Sequence, residues 1–390
     1  MARDPRMDDP RRTRQGGPRN PREEARRREE ARRRQEARER KKRKKRRKII
    51  LLIVEILLLI ALAAGAWVIT RGTSVQKINI NEEDIVINET VAQNESLKGY
   101  KNIALFGVDA RDKSLGKGNR SDTIIIASIN EDTGEVRLCS VFRDTYLNLG
   151  NDTYNKCNAA YAKGGPEQAI NMLNMNLDLN ITDYVTVGFS GLAEVIDVLG
   201  GITVDVQENE IVHLNNYQIS MVGKSDDNEN FYATEGKDYI AVKSAGEQKL
   251  NGLQATAYCR IRYVGDDFQR AERQRTVIAK CLEVAKQSDP KKLVSAYNSV
   301  TGYVSTSLDS DEIVALLGDV SKYTITASDG FPFETNRATG KIGSKGSCVI
   351  PVNLEQNVVL LQEFLFDNKD YVPSDQVKKY SEKVSADTGR

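Results

Sequence analysis

Residues 102–142, NIALFGVDARDKSLGKGNRSDTIIIASINEDTGEVRLCSVF, decide the fold. NIALFGVDA (102–110) is an apolar run that ends in Gly and Asp and predicts a buried strand. SDTIIIASIN (121–130) is a second strand, NEDTG (130–134) a turn, and EVRLCSVF (135–142) a third strand, hairpinned with the second. Downstream the signals alternate. A helix is predicted at 159–177 with Pro166 early in it, a strand at 184–189, a helix at 191–199 closed by Gly200-Gly201, and a strand at 202–206. Residues 207–245 are polar and read as a long loop. Helices follow near 269–286, 289–300 and 309–320, then an apolar segment at 348–352 and a helix at 354–366. Strands interleaved with helices predict one α/β or α+β domain of about 290 residues.

Upstream the composition changes abruptly. Residues 1–48 hold 23 Lys/Arg against 9 Asp/Glu, a net +14, whereas the whole chain is +2, leaving −12 for residues 49–390. That basic head has almost no apolar residues and cannot bury a core; Glu24/Arg28 and Glu29/Arg33 give it marginal helical support. Residues 49–70, IILLIVEILLLIALAAGAWVIT, carry one charge, Glu55, and suffice to cross a bilayer as a single helix. KKRKKRRK (41–48) abuts one end only, so the head is expected in the cytoplasm against anionic inner-leaflet lipids, and everything after Arg71 outside. Residues 71–98 read as a polar stalk, with a short strand at 85–87, before a body at 99–390. The head has no folded nucleic-acid-reading motif, and no nucleic-acid partner is expected.

The chemistry concentrates in YCRIRYVGDDFQRAERQ (258–274). Alternation over 258–263 predicts a strand with Arg260 and Arg262 on one face. Residues 264–267 read as a turn, and a helix from Phe268 sets Arg270 and Gln274 four apart with Arg273 beside them. Guanidinium forks converging from a strand and a helix suit a doubly charged or diphosphate ligand. Four upstream segments put further charges at strand ends: Asp109 in GVDAR, Arg120 and Asp122 in NRSDT, Arg143 and Asp144 in VFRDT, and Lys156 and Asn158 in NKCNAAYAKGG. Carboxylates beside arginines suggest a hard cation bridging phosphates. The only histidine is His213, in the predicted loop, which sets aside Ser-His-Asp, Cys-His and His-rich zinc chemistry. Five cysteines include no CxxC pair and read as packing residues.

GVDAR, NRSDTIIIASI, SVFRDTYL, NKCNAAYAKGG and YCRIRYVGDDFQRAERQR, in this order over residues 100–285, resemble the LytR-CpsA-Psr family of membrane-anchored cell-envelope enzymes. The resemblance implies a three-layer α/β/α sandwich with a lipid-lined groove between sheet and helices, for which the helices at 159–177 and 191–199 are candidate lining. It implies a phosphotransferase that moves a glycopolymer from an undecaprenyl-pyrophosphate carrier to a peptidoglycan hydroxyl. Asp109 and Asp122 would hold magnesium, or manganese. Arg143, Arg260, Arg262, Arg270 and Gln274 would grip the pyrophosphate; Arg120, Asp144, Lys156, Asn158 and Arg273 match further motif positions. Asp144 and Asp267 are the candidates to accept the hydroxyl proton. Cys157, Val141-Phe142 and Gly265-Asp266-Asp267 depart from the family pattern without removing a charged ligand. A polyprenyl-pyrophosphate hydrolase, a non-catalytic module for anionic glycan and an envelope regulator are the alternatives; the −12 of residues 49–390 disfavours broad polyanion binding.

Overall fold

The computed structural model describes residues 78, 80–109, 114–225 and 231–390. The predicted membrane span at 49–70 and the basic head lie outside the described residues; among those described, no helix is long and apolar enough to cross a membrane.

The predicted hairpin is the centre of the sheet. Strands β1 (Tyr100–Val108) and β3 (Glu135–Val141) each pair antiparallel with β2 (Ser121–Asn130), which lies between them. β4 (Asp183–Gly188) adds parallel to β1. Strand β1 thus has an antiparallel neighbour on one side and a parallel one on the other. The residues of β1–β3 bury both faces. Ala104, Phe106, Val108, Ile124, Ile126, Cys139 and Val141 pack in one core with helix α1 (Asn158–Leu177). Ile125, Ala127, Val136 and Leu138 form another, against Ile278. A sheet covered on both faces explains why β2 reads as a continuous apolar run rather than as alternation. Gly165, at φ 72°, interrupts α1 immediately before Pro166.

Several elements differ from expectation. The strand at 202–206, β5 (Ile202–Val206), does not join the central sheet; it pairs antiparallel with β6 (Gly246–Leu250). Between them, where a loop was predicted, helix α3 (Glu208–Val222) forms; α2 (Phe189–Leu199) precedes it. The core side of α3 is Ile211, Leu214, Gln218 and Met221, a helical spacing diluted by Asn and Gln. Its N-terminus is closed by a capping box in which the Glu210 carboxylate accepts from the Gln207 amide at 2.9 Å. Residues 258–263 are not a strand. Helix α4 (Gly252–Tyr258) ends there, and an irregular loop runs on to α5 (Asp267–Gln287). Gly252 opens α4 so close to α2 that a Cβ would lie 2.0 Å from the Ala193 carbonyl oxygen.

Two strands complete the central sheet where none was predicted. β7 (Val304–Thr306) borders β4, and β8 (Thr324–Phe331) lies parallel to β3. β8 alternates toward one side and is exposed on the other, as an edge strand does. Helix α6 (Leu354–Phe366) is as expected, and a further helix, α7 (Asp375–Thr388), ends the chain. The segment read as a stalk is docked from Ile80 onward: Ile80, Ile85 and Ile87 pack on the main core, Val91 and Leu97 are buried, and no strand forms at 85–87. The buried Asp178 carboxylate fastens it, accepting from Asn88 Nδ2 at 2.5 Å, Ser374 N at 2.8 Å and Ser374 Oγ at 2.7 Å. One carboxylate therefore ties this segment, the end of α1 and the start of α7 together.

Candidate active site

The antiparallel register brings Val108 opposite Ser121, so Asp109 and Asp122 emerge at the same end of the sheet. β3 ends beside them, delivering Arg143. The loop after α4 adds Arg260 and Arg262, and the first turns of α5 add Arg270 and Gln274. These seven side chains line one cleft of about 240 Å³.

Within it the charges interlock. Arg143 donates to Asp122 at 2.8 Å and lies 3.5 Å from Asp267. Arg262 reaches the other Asp122 oxygen at 3.5 Å, and Arg260 lies 3.7 Å from Asp109. Arg270 donates to the Asp122 carbonyl at 2.8 Å and pairs with Asp267 at 3.1 Å. Four guanidiniums thus face three carboxylates. Burial pulls the Arg270 guanidinium down to about 10; Asp267 and Asp122 oppose this, and repulsion from Arg143 and Arg262 adds to it. Burial acts the same way on Arg143, but Asp122 and Asp267 outweigh it and leave that group raised. The buried Nε of Arg270 has no hydrogen-bond partner in the protein. An anion in the cleft would relieve both conditions.

The arginines are held from behind. Arg260 lies over the Phe189 ring at 4.5 Å and the Tyr217 ring at 5.6 Å. The Arg143 carbonyl accepts from Cys157 Sγ at 3.3 Å and from the Asn158 amide at 3.1 Å. Asp266 caps α5 by accepting from the Phe268 and Gln269 amides.

The remaining predicted residues lie elsewhere. Arg273 turns away from the cleft: its Nε meets Glu210 at 2.6 Å, and its other nitrogens donate to the carbonyls of Ile261 at 3.2 Å and Val264 at 2.9 Å. It braces the arginine loop rather than facing a ligand. Asp144 pairs with Lys156 at 3.3 Å, outside the cleft lining, and Arg120 is exposed just before β2. Asn158 is buried at the start of α1. His213 stacks on Tyr263 instead of entering the cleft. All five cysteines are free, and burial pushes the thiols of Cys139, Cys157, Cys259 and Cys281 upward, away from nucleophilic use.

Phe189, Tyr217, Thr123 and Cys259 complete the lining without having been predicted. Tyr217 was hidden in the supposed loop; its spacing to Leu214 and Met221 was the available signal. Thr123, Phe189, Cys259 and Gln274 also border a second, apolar cavity of about 180 Å³, walled by Leu105, Val185, Leu192, Val277 and Ile278 among others. It lies between the sheet, α2 and α5. Helix α1 packs on the opposite face and contributes no lining, contrary to expectation; α2 does contribute.

Among the described residues no group of three or more His, Cys, Asp or Glu is arranged to hold a metal unaided. Asp109 and Asp122 do line one cleft, and two carboxylates are what magnesium takes when phosphate oxygens and water fill its other positions. The donor set fits a cation that arrives with a phosphate ligand.

A family model described as LytR_cpsA_psr matches residues 68–349. The chain is 30% identical, over 270 residues covering 67% of it and 74% of the relative, to the polyisoprenyl-teichoic acid–peptidoglycan teichoic acid transferase TagU of Oceanobacillus iheyensis. It is 28% identical over 300 residues to biofilm regulatory protein A of Streptococcus mutans, covering 67% of this chain and 68% of that one. The crystal structure of Bacillus subtilis TagV is similar at a TM-score of 0.52 and 27% identity, covering 71% of this chain and 99% of that one.

Proposed function

Since the chain belongs to the LytR-CpsA-Psr family of phosphotransferases, we propose that it moves a glycopolymer from a polyprenyl-diphosphate carrier, undecaprenyl by the family resemblance, to a hydroxyl of peptidoglycan. The observation that carries this reading is the adjacency of two unlike cavities. A cleft with four arginines, one of them buried and incompletely paired, shares the wall residues Thr123, Phe189, Cys259 and Gln274 with an apolar cavity. A diphosphate esterified to a long hydrocarbon has that same division of chemistry.

Arg143, Arg260, Arg262 and Arg270 bind the diphosphate and spread its charge, and Gln274 lies where diphosphate passes to hydrocarbon. Magnesium, held by Asp109 and Asp122 with phosphate oxygens, would supply further charge neutralisation at the leaving phosphate. The acceptor oxygen forms a bond to the sugar-linked phosphorus as the bond from that phosphorus to the bridging oxygen breaks, and polyprenyl phosphate leaves, the hydroxyl proton passing to it or to water. Neither carboxylate considered as a base is well placed: Asp144 is tied to Lys156 off the cleft, and Asp267 is shared by two arginines. A loose phosphoryl-transfer transition state asks little of a base, so positioning and charge carry the rate. Residues 49–70 would anchor the enzyme in the cell membrane, with the body outside, where lipid-linked donor is found.

Calorimetry with the full-length chain in detergent micelles tests the site. With farnesyl diphosphate present, magnesium is taken up; without it, uptake at the same concentrations is negligible, because two carboxylates already paired with arginines make a poor cation site alone. Tight magnesium binding without diphosphate, or farnesyl diphosphate binding unaffected by EDTA, would contradict the assignment.

A further inference from the structure

One end of the proposed donor is accounted for by the apolar cavity, which shares Phe189, Cys259 and Gln274 with the cleft lining. The glycan attached to the other phosphate must leave by a different side. Arg262, the most exposed of the four cleft arginines, marks a solvent-open flank, and the residue after it is Tyr263, 79% exposed. Tyr263 is not a loose side chain. Its ring stacks on His213, with centroids 5.5 Å apart and planes inclined by 24°. His213 lies four residues before Tyr217 on α3, so the two share a helix face, and Tyr217 lines the cleft. The stacked pair is thus one helical turn along α3 from the cleft wall, with the free face of Tyr263 open to solvent.

The loop that carries Tyr263 is fixed on either side. Arg273 holds the carbonyls of Ile261 and Val264, and its own partner Glu210 belongs to α3, the helix that carries His213. An exposed aromatic ring backed by a second ring on a braced loop is preorganised to receive a flat apolar face. In a glycan that face is the C–H face of a pyranose ring, and aromatic side chains are prominent in the lining of ligand sites.

We propose that Tyr263, supported by His213, is a sugar subsite that stacks the pyranose next to the diphosphate of the donor. This rests on the diphosphate reading of the cleft and extends it to the first sugar. Farnesyl diphosphate and farnesyl-diphospho-N-acetylglucosamine are the probes, measured as Kd on the full-length chain in detergent with magnesium. The sugar should tighten binding to the wild type, and Tyr263→Ala should remove about fivefold to tenfold of affinity for the glycosylated probe while leaving farnesyl diphosphate unchanged. Tyr263→Phe should keep the affinity, and His213→Ala should lose part of it. An equal loss for both probes would mean that Tyr263 acts through the loop and would overturn the subsite. So would a sugar that adds no affinity in the wild type, or a Tyr263→Ala variant that binds both probes normally. If the wild type binds neither probe, the diphosphate reading itself fails.

Discussion

Asp122→Ala should reduce transfer by roughly 10²–10³-fold, the cost typical of removing a preorganised electrostatic element. Asp122 is the hub of the cleft: its two carboxylate oxygens meet Arg143 at 2.8 Å and Arg262 at 3.5 Å, and its carbonyl meets Arg270 at 2.8 Å. The substitution keeps the carbonyl and removes the carboxylate. Arg143 and Arg262 then lose the charge that orients them, and the magnesium pair is reduced to Asp109. Binding and turnover should separate. Removing a negative charge beside four arginines raises the positive potential of the cleft by more than the loosened side chains cost, so inorganic pyrophosphate without magnesium should bind the variant at least as well as the wild type. A variant with normal turnover, or one that fails to bind pyrophosphate while still folded, would contradict this role.

Glu210→Ala should be the most destabilising single change near the site, by about 3–5 kcal/mol, because it leaves the Arg273 charge buried without its partner. Both side chains are about 5% exposed and meet at 2.6 Å. Glu210 also closes the capping box of α3, so the helix start is weakened as well. Since Arg273 grips the carbonyls on either side of Arg262 and Tyr263, diphosphate affinity should fall in the fraction that remains folded. Denaturant titration measures the first effect and diphosphate binding below the unfolding transition the second. Arg273→Lys, which keeps the charge but not the fork, should retain more stability than Glu210→Ala yet still lose affinity. Unchanged stability in Glu210→Ala would show that water or a shifted loop satisfies Arg273.

The parts of this molecule that were legible in the sequence are those whose cause is local. β1 to β3 are apolar runs punctuated by Gly107, Asn130 and Gly134, and they form the sheet centre as predicted. Asp109, Asp122 and Arg143 converge because the antiparallel register brings those three strand ends together. The arginine stretch differs in form from the expected strand: alternation over six residues is too short to separate a strand from a helix end followed by an irregular loop. Arg260 and Arg262 reach the cleft all the same, Arg260 from the turn that ends the helix and Arg262 from the loop after it. That Arg273 points away from the cleft was not legible, because its partner, Glu210, sits in a helix that polar residues disguised as a loop. β8 has the pattern of an edge strand with half its residues exposed, and its pairing with β3 is a long-range contact that no local signal announces.

The most direct test of the central claim is transfer itself. The full-length chain in detergent would be given a glycan linked through diphosphate to a polyprenyl chain, with magnesium, in the presence and absence of peptidoglycan oligomers. The account predicts that polyprenyl phosphate is released only when the oligomers are present, one molecule for each glycan joined to them. Release at the same rate without oligomers, yielding a free glycan phosphate, would make the protein a hydrolase. No release with the glycan still bound would make it a binding module, and either result would contradict the account.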